Sequence, residues 1–423
     1  VAAVEEPKVV PITSTHGSRA EVRGGFGRLW SAAVVSRLGD ALRGAALPLL
    51  AVSLTDSPLL VSLVTASGFL PWLLFGLLGG AVADRVDQRR AMWTVDVLRG
   101  ALVAAFAAAV ALGHATIGLL IALAFLLTTL QTLFDNAATA LLPAVVPRDG
   151  LGRANARLMT GQQIAGAFLG APLVPVLLAV GAAMPFAADA ATYLLAAALV
   201  ATLRIPAPAR EPRPAGRTLR QEMAQGLRAL WRDGTLRALC VSTTLCNVAI
   251  GALIATLPLL VTGWLHGGHG GYAATLAAYG VGGVAGGMLA GRLVDRFGPV
   301  RSMPALGALQ TACLVALGTV RELPVAVAAL GLFGFSGMVW NVTQTTLMQQ
   351  RAPEGMLGRI SAAFRTLAIA GAPFGALAGG AVATAWGLNT PMLLASALLA
   401  LAVLALLPAV DRAGDGTTSH TEL

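Results

Sequence analysis

Charge is what this 423-residue chain has least of. Asp, Glu, Lys and Arg together make up 12% of it, about half the share of a soluble domain. Of its 29 basic residues a single one, Lys8, is lysine. Cysteines number three, Cys240, Cys246 and Cys313. All three fall in apolar runs without ligand or bridge spacing, so neither a metal site nor a disulfide framework is expected. No GxxxxGK[ST] phosphate loop occurs, which leaves ATP drive within the chain unsupported. The polar segment 1–27 contains no apolar h-region before Trp30, so no cleaved signal is expected and the first apolar run stays in the membrane. No His/Asp/Glu cluster suits a membrane enzyme. Neither enzymatic activity nor a cofactor is expected.

What the chain has in abundance is apolar side chain, 56% of all residues, together with 49 glycines. No water-soluble fold hides that much apolar surface, so the composition is that of a polytopic membrane protein. Soluble enzymes, nucleic-acid readers and secreted scaffolds are excluded. The formal net charge of +9 sits in short loops, where it reports topology rather than a nucleic-acid partner.

Twelve apolar runs are long enough to cross a bilayer as helices: 30–54, 58–83, 91–113, 116–142, 158–181, 184–205, 236–263, 271–294, 303–320, 324–349, 360–385 and 388–409. The ~10-residue alternation of a β-barrel is absent. The expected fold is all-α, twelve transmembrane helices in two pseudo-symmetric six-helix bundles. Segment 1–29 precedes the first bundle (30–205). A linker (206–235), the second bundle (236–409) and a tail (410–423) follow. The loops after spans 2, 4, 8 and 10 carry Arg85, Arg89, Arg90, Arg148, Arg153, Arg157, Arg296, Arg301, Arg351 and Arg359, whereas the alternate loops carry only Arg321. The positive-inside rule then puts both termini in the cytoplasm and the protein in the cell membrane. The linker opens Pro-rich and continues as TLRQEMAQGLRALWR, in which Leu219, Met223, Leu227, Leu230 and Trp231 share one helical face. That is an interfacial amphipathic helix, in contact with membrane lipid.

The halves repeat each other. Pro147…Gly152-Arg153 returns as Pro353…Gly358-Arg359. Gly80-Ala-Val-Ala-Asp84-Arg85 returns as Gly291-Arg-Leu-Val-Asp295-Arg296, Gly170-Ala-Pro172 as Gly371-Ala-Pro373, and Leu47-Pro48-Leu49-Leu50 as Leu257-Pro258-Leu259-Leu260. Two six-helix repeats around a midplane site is a transporter plan. The duplicated Gly80–Arg90 and Gly291–Arg301 segments suit a conformational latch, in which Asp84 accepts from a neighbouring helix N-terminus and Arg85, Arg89, Arg90, Arg296 and Arg301 pair with carboxylates or lipid phosphate.

The sequence GGAVADRVDQRR between spans 2 and 3 resembles the signature loop of the major facilitator superfamily. RLWSAAVVSRLGDALRGAALPLLA in span 1, FDNAATALLPAVVPRDGLGRANA at span 4 and AADAATYLLAA in span 6 resemble its drug-efflux branch, which includes macrolide, tetracycline and siderophore exporters. The resemblance implies ion-driven alternating access, usually proton antiport, with Asp84, Arg85, Asp295 and Arg296 closing the cytoplasmic side. Asp87 stands where the signature has glycine, Gly298 keeps it in the second copy, and the arginine-led span-4 motif of other efflux branches is missing. Gly161, Gly166, Gly170 and Pro172 in span 5 loosely resemble the antiporter motif. Small residues at that spacing equally permit tight helix crossing.

Ionisable groups inside the membrane are functional candidates because their burial is costly. In span 1, Asp40 stands three residues from both Arg37 and Arg43. It is either a charged cavity wall in the coupling network or a self-neutralising ion pair. Asp135 in span 4 is either a proton carrier or a partner of Arg85, Arg89 or Arg37. Asp189 in span 6 is either a second proton site or a hydrogen-bond acceptor. Asp96 and Arg99 in span 3 read as a structural pair near the inner surface. The second half offers Asn247, Asn341, Thr343 and Gln344, with Phe333, Phe335, Met338, Trp340 and Met348 as cavity wall or lipid-facing surface. His266 and His269 read as part of a flexible Gly-rich loop.

The expected function is export of a hydrophobic or cationic small molecule, of antibiotic or siderophore type, by proton antiport in a monomer. A nutrient symporter and a transport-inactive sensor or scaffold are the alternatives.

Overall fold

The computed structural model describes residues 16–83, 87–146, 154, 157–158, 160–162, 164–203, 219–353 and 356–406; at some of these, including Asp135, Asp295 and Arg301, it describes the backbone alone. The described chain is helical and carries no strand. α1 is His16–Leu54, α2 Pro58–Ala83, α3 Gln88–Ala111 and α4 Ile117–Val145. α5 contains a π-helical turn, Ile164–Gly170, that continues as Ala171–Val180. α6 is Met184–Ala201. A linker helix, Leu219–Arg232, leads into α7, which runs over Gly234–Leu259 and ends in a π-helical turn, Leu260–Trp264. α8 is Gly268–Phe297, α9 Pro299–Thr319, α10 Leu323–Arg351, α11 Leu357–Trp386 and α12 Thr390–Leu404.

Local chemistry marks the ends. Asp87 caps α3, its carboxylate accepting from Arg90 N at 3.0 Å, and Asp233 caps α7 by accepting from Thr235 N and Leu236 N at 2.8 Å. Gly298, at φ 77°, turns the chain between α8 and α9 in a conformation that other residues rarely adopt. Within the spans, hydroxyls bond back to their own helix, as Thr256 does to Ala252 O and Thr343 to Val339 O, so they demand nothing of lipid.

Nine described helices are long and apolar enough to cross a membrane. The three remaining spans fall short for identifiable reasons. Arg37, Asp40 and Arg43 lower the hydropathy of α1, the described run of α5 from Ile164 to Val180 is short, and α12 has 15 residues. His269 lies in α8, not in a loop, and the Arg321 guanidinium lies 2.7 Å from His266 Nε2.

Packing follows the sequence repeat. In the first half α1 contacts α5 and α6, α3 contacts α4 and α6, and α2 contacts α4. In the second half α7 contacts α11 and α12, α9 contacts α10 and α12, and α8 contacts α10. The halves meet through α2 with α11 and α5 with α8. This is the two-bundle architecture expected from the repeats.

The meeting is closest at the end opposite the arginine-rich loops. There a Cβ on Gly380 of α11 would collide with Ser62 of α2. Slightly deeper, Ala66, Ala255 and Ala376 of α2, α7 and α11 form a buried cluster. Arg365 and Ala376 are eleven residues apart and share one face of α11. That face is buried at Ala376 and exposed at Arg365.

Candidate functional site

Four helices of the first bundle bring their polar residues to one place. Asp40 Oδ1 on α1 accepts from Arg43 Nη2 at 2.8 Å and from Arg99 Nη2 of α3 at 2.8 Å. It also accepts from the Tyr193 hydroxyl of α6. Arg43 Nε donates to Asp189 Oδ2 at 3.0 Å, and Arg43 Nη2 donates to the Tyr193 hydroxyl oxygen at 3.2 Å. Arg99 Nη1 donates to Asp96 Oδ1 at 3.2 Å, while its Nη2 also reaches Gln131 Oε1 of α4 and the Tyr193 hydroxyl. The Arg99 guanidinium stacks 4.0 Å from the Tyr193 ring centroid, which adds a cation–π contact.

Burial grades this cluster. The side chains of Arg99, Asp96 and Asp189 are fully buried, whereas those of Asp40 and Arg43 are 13% and 15% exposed. The cluster is therefore the interior of the bundle with one open edge. Three carboxylates face two guanidinium groups within it. An uncompensated charge in such a place is costly. One oxygen, Asp189 Oδ1, is buried without a hydrogen-bond partner. Gly39 makes the arrangement possible, because a Cβ there would collide with Asp189 Oδ1 and Thr192 Oγ1.

One pairing expected from the sequence needs correction. Asp40 does not pair with both of its own-helix arginines. Its second cation is Arg99, and Arg37 is exposed beside α5, with its Nε 3.7 Å from where a Cβ on Gly166 would stand. Asp96 and Arg99 form the expected pair, and Arg99 also reaches Asp40, Gln131 and Tyr193 of the other helices. Asp189 accepts from Arg43 of α1, in keeping with its reading as a hydrogen-bond acceptor. Tyr193, four residues after Asp189 on α6, joins the cluster through its hydroxyl with no charge to mark it in the sequence. Arg365 of α11 is exposed. Asp135 lies on α4, its side chain outside what the structure describes.

In the second bundle Thr243 of α7 donates to Gln344 Oε1 of α10 at 2.9 Å, and Asn247 donates back to Thr243 O. Asn341 is exposed. Phe333, Trp340 and Met348 are core residues, not cavity wall or lipid-facing surface, because they pack inside the second bundle.

Of the latch, Asp84 and Arg85 lie outside the described residues, as do the surroundings of Gly80 and the side chains of Asp295 and Arg301. Arg89 donates to Ala201 O at the end of α6, within the first bundle. Arg90 and Arg296 are exposed, and a Cβ on Gly291 would meet open space. Among the described residues every ion pair lies in the first bundle.

The paired glycine motifs are contact points. A Cβ on Gly170 would strike Ala41 of α1, and one on Gly371 would strike Thr244 O of α7. Pro172 is exposed and Pro373 buried. No metal-binding group of three or more His, Cys, Asp or Glu occurs among the described residues.

A family described as transmembrane secretion effector matches residues 20–420. The chain belongs to this family of the major facilitator superfamily. Relatives of this major facilitator protein include the enterobactin exporter EntS of Escherichia coli O1:K1 / APEC, 30% identical over 409 residues, covering 91% of this chain and 92% of the relative. Macrolide efflux protein A of Streptococcus pyogenes is 22% identical over 380 residues, covering 88% and 93%. Among solved structures, a mutant of the nucleoside transporter NupG superposes with a TM-score of 0.75 at 12% identity, covering 90% of this chain and 99% of that one. The last likeness concerns the fold; the first two are to proteins named for efflux.

Proposed function

We propose that the protein exports a hydrophobic small molecule of antibiotic or siderophore type from the cytoplasm, in exchange for protons, by rocking of the two bundles. Both termini and the arginine-rich loops lie in the cytoplasm on this reading. The observation that carries it is the partly exposed edge of an otherwise buried cluster in which Asp40, Asp96 and Asp189 outnumber Arg43 and Arg99. A proton on one carboxylate balances the cluster. Its loss leaves a charge that the exposed Arg37, or a rearrangement of α1 against α3 and α6, must compensate. Proton and cargo then favour opposite states, as exchange requires. Of the two cargo classes expected from the sequence, the exposed Arg37 and Arg365 favour the hydrophobic over the cationic, because a cation would meet like charge on entry.

The test uses the purified protein in liposomes loaded with a pH-sensitive dye, with erythromycin and an apolar dye panel as cargo. Cargo moving one way should drive protons the other. Asp40→Asn and Asp189→Asn should each lower proton-linked flux by about tenfold or more, equivalent to about 1.4 kcal/mol on the barrier, while the folded fraction is held equal by size-exclusion chromatography. Cargo flux that proceeds with no accompanying proton movement overturns the reading.

A further inference from the structure

A second feature lies on the far side of α11 from the cluster and from the other bundle. Trp231, Val241, Leu245, Val248, Leu367 and Phe374 line a groove of about 390 Å³ between the linker helix, α7 and α11. Leu367 and Phe374 stand on the face of α11 opposite the one that carries Arg365 and Ala376. Since Ala376 meets α2, the groove opens away from the first bundle, toward lipid. Val241, Phe374 and Trp231 are exposed at its rim.

The groove asks for no polar partner. The hydroxyl of Thr244, inside it, donates to Cys240 O at 2.8 Å. The groove runs from Leu367 to Phe374 of α11, seven steps or about 10 Å along the helix axis at 1.5 Å per residue. An elongated apolar slot of that length, normal to the membrane, suits an acyl chain.

The mouth has a different chemistry. The linker helix is held against α11 because a Cβ on Gly226 would strike the Arg359 carbonyl, and Arg359 Nη1 donates to Gln225 Oε1 at 3.1 Å. Leu230 is fully buried, whereas Leu227 and Trp231 remain exposed. The apolar face expected of this helix is thus divided, one part packed on protein and one left for lipid. Arg237 Nη1 donates to Trp231 O at 3.3 Å, Arg228 and Arg232 lie three residues before and one after Trp231 on the linker helix, and all three arginines are exposed. Asp233 is engaged in capping α7.

We infer that this groove is a binding site for an anionic phospholipid of the leaflet on the arginine-rich side, with an acyl chain in the slot and the phosphate on Arg228, Arg232 and Arg237. Basic side chains at the mouth of an interhelical pocket recognise such headgroups. The site joins the linker to α7 and α11, so its occupant bridges the segment that connects the bundles.

The experiment is native mass spectrometry of the purified full-length protein with phosphatidylglycerol or phosphatidylcholine of identical chains, and with palmitate alone. Phosphatidylglycerol should be retained about tenfold more strongly than the other two. Arg232→Gln with Arg237→Gln should abolish that preference, and Val241→Trp, which fills the slot from an exposed position, should reduce retention. Equal retention of both phospholipids, retention of palmitate as strong as that of phosphatidylglycerol, or a preference that survives both variants overturns the proposal. So does a dimer that forms in place of lipid binding. Thermal midpoints of the variants should stay near that of the parent, since all three altered side chains are exposed; a preference measured on an unfolded variant is replaced by competition between the two phospholipids on the parent protein.

Discussion

At the scale of single residues, the first bundle depends on one guanidinium. Arg99 reaches Asp96, Asp40, Gln131 and the Tyr193 hydroxyl from a fully buried position. Its planar fork serves several acceptors at once, which a lysine ammonium on a flexible stem does not reproduce. Arg99→Gln leaves buried carboxylates without their cation and should destabilise by about 3–5 kcal/mol, read as a lowered thermal midpoint in detergent. Arg99→Lys should recover only part of that loss, and full recovery would show that charge alone matters. Gly39→Ala should lower stability by about 1–3 kcal/mol, as overpacking does, because its methyl group would meet Asp189 and Thr192; the same thermal measurement checks it.

At the scale of elements, helix approach is set by glycine. Gly371, Gly375 and Gly379 of α11 face Thr244, Val248 and Ala252 of α7 at backbone contact, with no room for a Cβ. Gly375→Leu should drive the two helices apart, collapse or widen the groove between them, and leave little folded protein; size-exclusion chromatography reports it. The linker helix is a separate case. Gly226→Val should lift it from the Arg359 carbonyl, and limited proteolysis of the 219–232 segment should accelerate while the bundles stay intact.

At the scale of the whole molecule, the two bundles touch through α2 and α11. Ser62 and Gly380 lie against each other across the bundles, so cysteines at both positions, in a chain with Cys240, Cys246 and Cys313 replaced by serine or alanine, should form a disulfide on oxidation. The bond should arrest transport, and reductant should restore it. Transport that continues with the bond formed would mean that the bundles do not rock apart at this end.

How much of this was legible depends on which neighbours matter. Composition and arginine placement named twelve spans because hydropathy acts on each segment alone. The four repeated motifs gave the two-bundle plan, and that symmetry reappears contact by contact. Spacing along a helix found Asp40 with Arg43 and Asp96 with Arg99, three residues apart. It also suggested Arg37 as a partner for Asp40, which the fold declines in favour of Arg99. Phe333, Trp340 and Met348 could not be sorted in advance, because core, cavity wall and lipid are equally apolar and leave the same pattern in sequence.

What the sequence determined by itself is therefore the class of molecule: a helical membrane chain, duplicated, with its scarce buried charges gathered in the first half. Only the tertiary structure decided how those charges meet. Arg43 reaches Asp189 across 146 positions and Tyr193 reaches Asp40 across 153. Such contacts arise from the packing of α1, α3, α4 and α6, with α1 close against α6 at Gly39. Electrostatic energy depends on distance in space, and in this chain the decisive distances join helices that are far apart in sequence.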